Sequence, residues 1–460
     1  MAIDLHALRR ALETLSRDEL IEILLQQAAR IEALEARVAQ LAAALEAREG
    51  DPPPSAPFRI DDAKRARTPK RPGRTKGHPG ARRQPPPVTE RIEVPLPACP
   101  DCGGPVTGCR PVRQIIEELP EIRLRVVELT TWRGRCRSCG PVASRHPLQR
   151  SSAVGAAGVQ LGPKALEVAA RLRAEWHLPV RKVTAILEQL WGLRITPGGL
   201  VDALERVSER LRGEYEALEQ QIRASAVVYS DETSWYVGAP RGSALWVFAT
   251  PEATLYRVVA KRTRAQLQAI IGEAFGGVLV SDCLSLYDGA SERQQKCYAH
   301  HLRAIRKAEA EHPSGGSPYL RQVKLLLRAA MAVKAEQARQ PEPWRRARRE
   351  GLERWAERLL ETPRGQPEEE RVRQRLAKQR DHLFVFLEQE AVEATNNLAE
   401  RQLRPAVISR KISCGNRTWR GARSWETLAS LVATCAQTGR SFGDLVRTAL
   451  LAPAKPEPAR

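Results

Sequence analysis

The strongest constraint on this chain is a pair of aspartates, each closing a short β-branched run. SAVVYS (225–230) leads into Asp231, and GVLVSD (277–282) ends on Asp282. Between them ALWVFAT and TLYRVVA read as two more strands from their β-branched and aromatic content, and RAQLQAIIGEAF as a helix. Strand, strand, strand, helix, strand predicts a mixed sheet in which the first and fourth strands lie side by side and parallel. Their terminal carboxylates then converge. Like charges a few ångströms apart raise each other's pKa, so such a pair is costly unless cations neutralise it. Aspartates at strand ends also simply cap loops, and the pair alone leaves both readings open.

That strand order is the order of a ribonuclease-H-like core. Two Mg²⁺ ions about 3.5–4 Å apart at its carboxylates would clamp the attacking and leaving oxygens of a phosphodiester. Such a centre needs a third acid. The candidate is Glu400 in ATNNLAERQLRP, on a short helix with Arg401 and Arg404. The 117 residues between Asp282 and Glu400 include a helical stretch, about 319–390, rich in Leu, Arg and Glu, which reads as an insertion. Glu232, next to Asp231, points the other way along a strand and is not counted as a ligand.

Composition agrees with a polyanionic partner. Lys and Arg number 74 against 54 Asp and Glu, a net +20. This favours nucleic acid; an acidic membrane would call for a basic amphipathic helix or a lipid anchor, and neither is found. No apolar run approaches the ~18 residues of a spanning helix, and MAIDLHALRR is no signal segment, so a soluble, cytoplasmic protein is expected.

Residues 1–50 hold six Arg and nine acids, so the basic excess lies downstream. Leu20, Leu24, Ile31, Leu34, Val38, Leu41 and Leu45 alternate steps of three and four, with Gln27 and Arg48 as polar interruptions. This is a coiled-coil seam, or else a helix packed on its own domain. Pro52, Pro53, Pro54 and Pro57 end it. From 63 to 89 nine Lys/Arg, among them Lys70, Arg71, Arg74 and Lys76, occur with no acid among prolines and glycines. The segment reads as a phosphate-gripping arm or as a solvated linker.

CPDCGG from Cys99 and CRSCG from Cys136 form two Cys-x-x-Cys knuckles, with a strand-like alternation over 117–131 between them. Cys99, Cys102, Cys136 and Cys139 can complete one tetrahedral structural Zn²⁺ site, a zinc ribbon; four reduced thiols in a metal-free hairpin are the alternative. Cys109 lacks a partner at the right offset. Further on, Val180 to Trp191 reads as a helix broken at Gly192, and Thr196-Pro197 opens a second helix through Leu211. The pair resembles a helix-turn-helix, though most such pairs are only packing units.

VVYSDETSW, VSDCLSLYDGA followed by CYAHHLR, ATNNLAERQLRPAVISRK, WETLASLVATCAQTG and the ribbon preceded by RTKGHPG together resemble the transposases of the insertion sequence 66 family. The resemblance spans roughly 20–450. It implies a DDE transposase with Asp231, Asp282 and Glu400 as its Mg²⁺-binding triad, in a ribonuclease-H-like fold interrupted by a helical insertion. One departure and one match stand out. Cys283, Leu284 and Ser285 follow Asp282 where the family often carries Gly, and His300 matches the family's Cys-x-Ala-His histidine. A place beside the metal or against DNA and a place in the core are both open to His300.

The expected organisation is a multidomain α/β protein. It comprises a coiled-coil helix (1–50), a basic Pro/Gly-rich linker (51–97), a zinc ribbon (98–145) and a helix-turn-helix-like region (155–222). A catalytic core (223–310 and 391–413), a helical insertion (311–390) and a C-terminal helical segment (414–460) follow. The expected activity is binding of the element's terminal inverted repeats, Mg²⁺-dependent strand cleavage and strand transfer. Arg401, Arg404, Arg410 and Lys411 would grip phosphates, or form a solvated basic face. The expected partners are double-stranded DNA, a second copy through the N-terminal heptads, and small accessory proteins. The rivals are a catalytically silent DNA-binding derivative and an RNA-cleaving nuclease of the same fold.

Overall fold

A computed structural model describes residues 84–144, 146–148, 159–238, 242–273, 275–313 and 317–452. The heptad stripe and Lys70, Arg71, Arg74 and Lys76 lie outside the described residues. The chain divides into two units, Met1–Arg82 and Arg83–Arg460, and the described residues belong to the second.

Both cysteine knuckles form as local turns. Cys99 accepts the Gly103 amide at 2.9 Å and donates its own to Gly104 at 2.9 Å, with Gly103 at φ +73°. The second knuckle sits at the turn of an antiparallel hairpin, β1 (Arg133–Cys136) and β2 (Gly140–Ala143). The alternation over 117–131 does not become a strand. Ile116, Leu119 and Val126 are 80%, 84% and 83% exposed there, with neither a sheet partner nor a core to hold them extended.

The helical region begins with α1 (Pro163–Ala170), which runs into a π-helical turn at Arg171–Glu175. Next come α2 (Val180–Trp191), α3 (Pro197–Arg210) and α4 (Arg212–Arg223). The expected punctuation holds. Gly192 closes α2 at φ +67°, and the Thr196 hydroxyl accepts the Gly199 amide at 3.1 Å.

Five strands make one mixed sheet: β3 (Val227–Ser234), β4 (Ala244–Ala249), β5 (Thr254–Val259), β6 (Val278–Ser281) and β7 (Arg293–Lys296), with α5 (Arg264–Ile271) crossing between β5 and β6. Their order is β5-β4-β3-β6-β7. β3, β4 and β5 pair antiparallel, while β3–β6 and β6–β7 are parallel. The expected adjacency of first and fourth strands is therefore present. β7 was not foreseen, because RQQK carries no apolar pattern; its Gln294, Gln295 and Lys296 are nonetheless buried.

Helices α6 (Tyr298–Glu311), α7 (Pro318–Gln337), α8 (Glu342–Glu361), α9 (Pro367–Lys378) and α10 (Val385–Glu388) separate β7 from α11 (Asn397–Ser413). Then α12 (Trp419–Thr438) and α13 (Phe442–Leu451) end the described chain. One sheet face packs Val228, Trp246, Phe248 and Leu279 on α4 and α5. The other packs Tyr229, Val247, Tyr256 and Val280 on α6–α11, with Trp425 of α12. A third cluster joins α1–α3 to Leu428, Leu431, Phe442 and Val446 of the two last helices.

Helix α12 also closes the sheet edge. The outward amides of β5 donate to its side chains: Val258 to Glu426, Tyr256 to Ser430 at 2.8 Å, Thr254 to Thr434 at 3.0 Å. Four helical residues advance about 6 Å and two strand residues about 6.6 Å, so every fourth residue of α12 meets every second amide. Among the described residues no helix is long and apolar enough to cross a membrane.

Candidate active site

Strand register sets the two aspartates. β3 pairs with β6 from Val227↔Val278 to Tyr229↔Val280, and that register, continued two residues past the last pair, sets Asp231 level with Asp282. Asp231 is not at a strand end: β3 runs on to Ser234 against β4, with Asp231 opposite Val247. Only its pairing with β6 has stopped, and that opens the space beside it. The Asp282 carboxylate accepts the Leu284 amide at 2.9 Å, which holds the loop that follows it.

Glu400 comes from the first turn of α11, its amide bonded to the Asn396 carbonyl at 3.1 Å. Asn396 anchors this end. Its side-chain amide donates to the Ser230 carbonyl at 2.8 Å, one residue before Asp231, and its backbone amide donates to Cys297 Sγ at 3.2 Å. Burial, and then the carboxylates of Glu232, Asp282 and Glu400, push Asp231 up to about 8. Glu232 lies on the opposite face, where the Tyr287 hydroxyl donates to it at 2.7 Å.

Four further groups close around the acids. His300, in the first turn of α6, is held below its usual pKa by burial and Arg303, against the opposing pull of Asp282 and Glu400. Lys296, fully buried at the end of β7, donates to Ser281 at 3.3 Å, pairs with Asp288 at 3.6 Å, and feels the Asp282 charge. Burial lifts the Cys297 thiol to about 11. Arg375, from α9, reaches the same neighbourhood, acting on Cys283, His300 and His301, so the helices between Asp282 and Glu400 contribute a charge to the site. Neither Asn396, Lys296 nor Arg375 was singled out by sequence reasoning; only Asn396, beside a helix start, carried a readable signal.

The acids suit a hard divalent cation. Three carboxylates share one region, and Glu400 Oε2 is buried without a hydrogen-bond partner. Their oxygens do not all lie within 4.8 Å of one another: among the described residues, the three-donor group that meets that distance is Cys297, His300 and Glu400. No three of the four ribbon sulfurs come that close. Each ribbon pair is formed, with Cys99 lowered by amides of Asp101 and Cys102, and Cys136 by amides of Cys139 and Ser138. Two turns suited to Zn²⁺ thus exist, and the structure does not bring them together.

The basic candidates on α11 separate into two sets. Arg401, Arg404 and Lys411 are exposed along one helical face. Arg410 is turned toward β3, where it donates to Thr233 at 2.8 Å and Ser234 Oγ at 2.9 Å. It lines a cleft of about 470 Å³ with Lys261, Arg262 and Tyr236. The cleft wall is fixed where Gly415 (φ +94°) meets Tyr236; a Cβ there would lie 2.5 Å from the Tyr236 carbonyl oxygen.

No curated protein matches the chain. The sequence model described as "Transposase IS66 family" matches residues 158–424, which takes in the sheet, all three acids and the helices between them. With more than half of its length matched, the chain belongs to the IS66 family of transposases.

Proposed function

We propose that this transposase cuts and joins DNA strands at the ends of its own element, at a ribonuclease-H-like site in which Asp231, Asp282 and Glu400 hold a Mg²⁺ pair. The observation that carries this is the approach of three acids from two parallel strands and a helix separated by 117 residues, with Asp231 raised first by burial and then by Glu232, Asp282 and Glu400. When bound, Mg²⁺ supplies charge neutralisation at the phosphodiester and activation of the attacking oxygen.

The chain's own groups position and balance that centre. Asn396 holds the Glu400 helix against β3. Lys296, fixed on Ser281 and Asp288, stabilises the loop that carries Asp282. Arg410, Lys261 and Arg262 line a cleft at the far end of β3 suited to phosphates of the flanking duplex. Arg401, Arg404 and Lys411 add a second basic face. The ribbon, with Zn²⁺ drawing its two knuckles together, and the arm carrying Lys70, Arg71, Arg74 and Lys76 are proposed to bind the terminal inverted repeats. Pairing of two ends falls to the N-terminal heptads, outside the described residues.

The test is Mg²⁺-dependent nicking of duplex DNA carrying the element ends. Asp231→Asn, Asp282→Asn and Glu400→Gln should each reduce cleavage by about 10³-fold or more with end binding retained, a barrier increase of roughly 4 kcal/mol. Cleavage by Asp231→Asn at the parent rate would remove the assignment.

A further inference from the structure

The densest donor cluster is not the acidic triad. Cys297, His300 and Glu400 bring a thiol, an imidazole and a carboxylate within 4.8 Å of one another. Two elements build it: Cys297 precedes α6 and His300 lies in its first turn, three residues on, while Glu400 occupies the first turn of α11. Two of the three groups carry buried atoms with no hydrogen-bond partner, His300 Nδ1 and Glu400 Oε2. A buried polar atom left unpaired costs about 1–3 kcal/mol. A neutral imidazole nitrogen and a carboxylate oxygen cannot both be satisfied by facing each other unless a proton or a cation sits between them. The third group is already fixed in place, since Cys297 Sγ accepts the Asn396 amide at 3.2 Å.

The donor types select the ion. Magnesium takes oxygen ligands, whereas thiolate, imidazole and carboxylate together match Zn²⁺ and its neighbours. We propose that Cys297, His300 and Glu400 form a binding site for one zinc-class transition-metal ion, with its fourth position open. The ion bonds to sulfur, nitrogen and oxygen, and the thiol proton leaves to solvent. This site does not depend on the nuclease reading; only its consequence does. Because Glu400 also belongs to the proposed magnesium triad, a zinc-class ion held here withdraws that carboxylate and inhibits cleavage.

The probe is Co²⁺ alone, titrated into the full chain with Cys99→Ser, Cys102→Ser, Cys136→Ser and Cys139→Ser, so that the ribbon thiols do not contribute. One cobalt per chain should bind, with a near-ultraviolet thiolate-to-cobalt band and the visible bands of four-coordinate cobalt. Adding Cys297→Ser should abolish the near-ultraviolet band. Adding His300→Gln, which keeps the thiol, should weaken cobalt binding about 10-fold or more, and it carries the test if Cys297→Ser fails to fold. Asp231→Asn should keep the cobalt spectrum while losing cleavage, so failure of this site and failure of the nuclease reading are separate results. No cobalt bound to the ribbon-free chain, or an unchanged spectrum and affinity in His300→Gln, would overturn the assignment.

Discussion

Asn396 does two jobs with one side chain and one amide, and both concern where Glu400 stands. Its amide nitrogen bridges to the Ser230 carbonyl at 2.8 Å while its backbone amide is taken by Cys297, so the start of α11 is bound to β3 and to the start of α6 at once. Asn396→Ala leaves the Ser230 carbonyl unpaired in a buried place. Denaturant unfolding should record a loss of about 1–3 kcal/mol. End binding should persist while nicking falls by about 10²-fold, the size expected when a reacting group moves by about an ångström. Asp231, Asp282 and Glu400 are nominated by the sequence because carboxylates at the ends of apolar runs or on an acidic–basic helix stand out against their surroundings. Lys296 is not, since RQQK resembles any exposed polar segment until β6 pairs with it and buries it.

At the scale of elements, α12 shows how a helix can replace a missing strand. β5 is an edge strand, and its free amides at 254, 256 and 258 would otherwise be open to another chain. Glu426, Ser430 and Thr434 satisfy them at helical spacing. Ser430 is fully buried, so Ser430→Ala should destabilise the protein by about 1–3 kcal/mol in denaturant unfolding, whereas Thr438→Ala, about two turns further and exposed, should change it by less than about 0.5 kcal/mol. The polar stripe in WETLASLVAT is visible in the sequence, but a stripe on a helix ordinarily marks its solvent side. Its burial is decided by β5. The opposite error lies at 117–131, where alternation predicts a strand that finds nothing to pair with.

For the molecule as a whole, the helices at 163–223 do not own their core. Leu428, Leu431, Cys435, Phe442, Val446 and Leu450, more than two hundred residues later, complete the cluster that Leu166, Leu172, Leu200 and Leu204 begin. A fragment comprising residues 159–223 should therefore show no cooperative thermal transition by far-ultraviolet circular dichroism, because a large share of its apolar surface stays wet. A sigmoidal melt from that fragment would count against this account.

Periodicity, caps and motif spacing sufficed for α2 and α3 and the first four strands of the sheet, and they nominated the three acids, because each rests on neighbours within a few residues or on a motif with few alternatives. The fifth strand, the helix laid along the edge, the Asn396 anchor, the Arg375 contribution and the Cys297–His300–Glu400 cluster were settled only in three dimensions. Each joins groups from about a hundred to nearly two hundred residues apart or buries polar side chains whose local sequence signals exposure, and chain-local physics contains no term for a partner that distant.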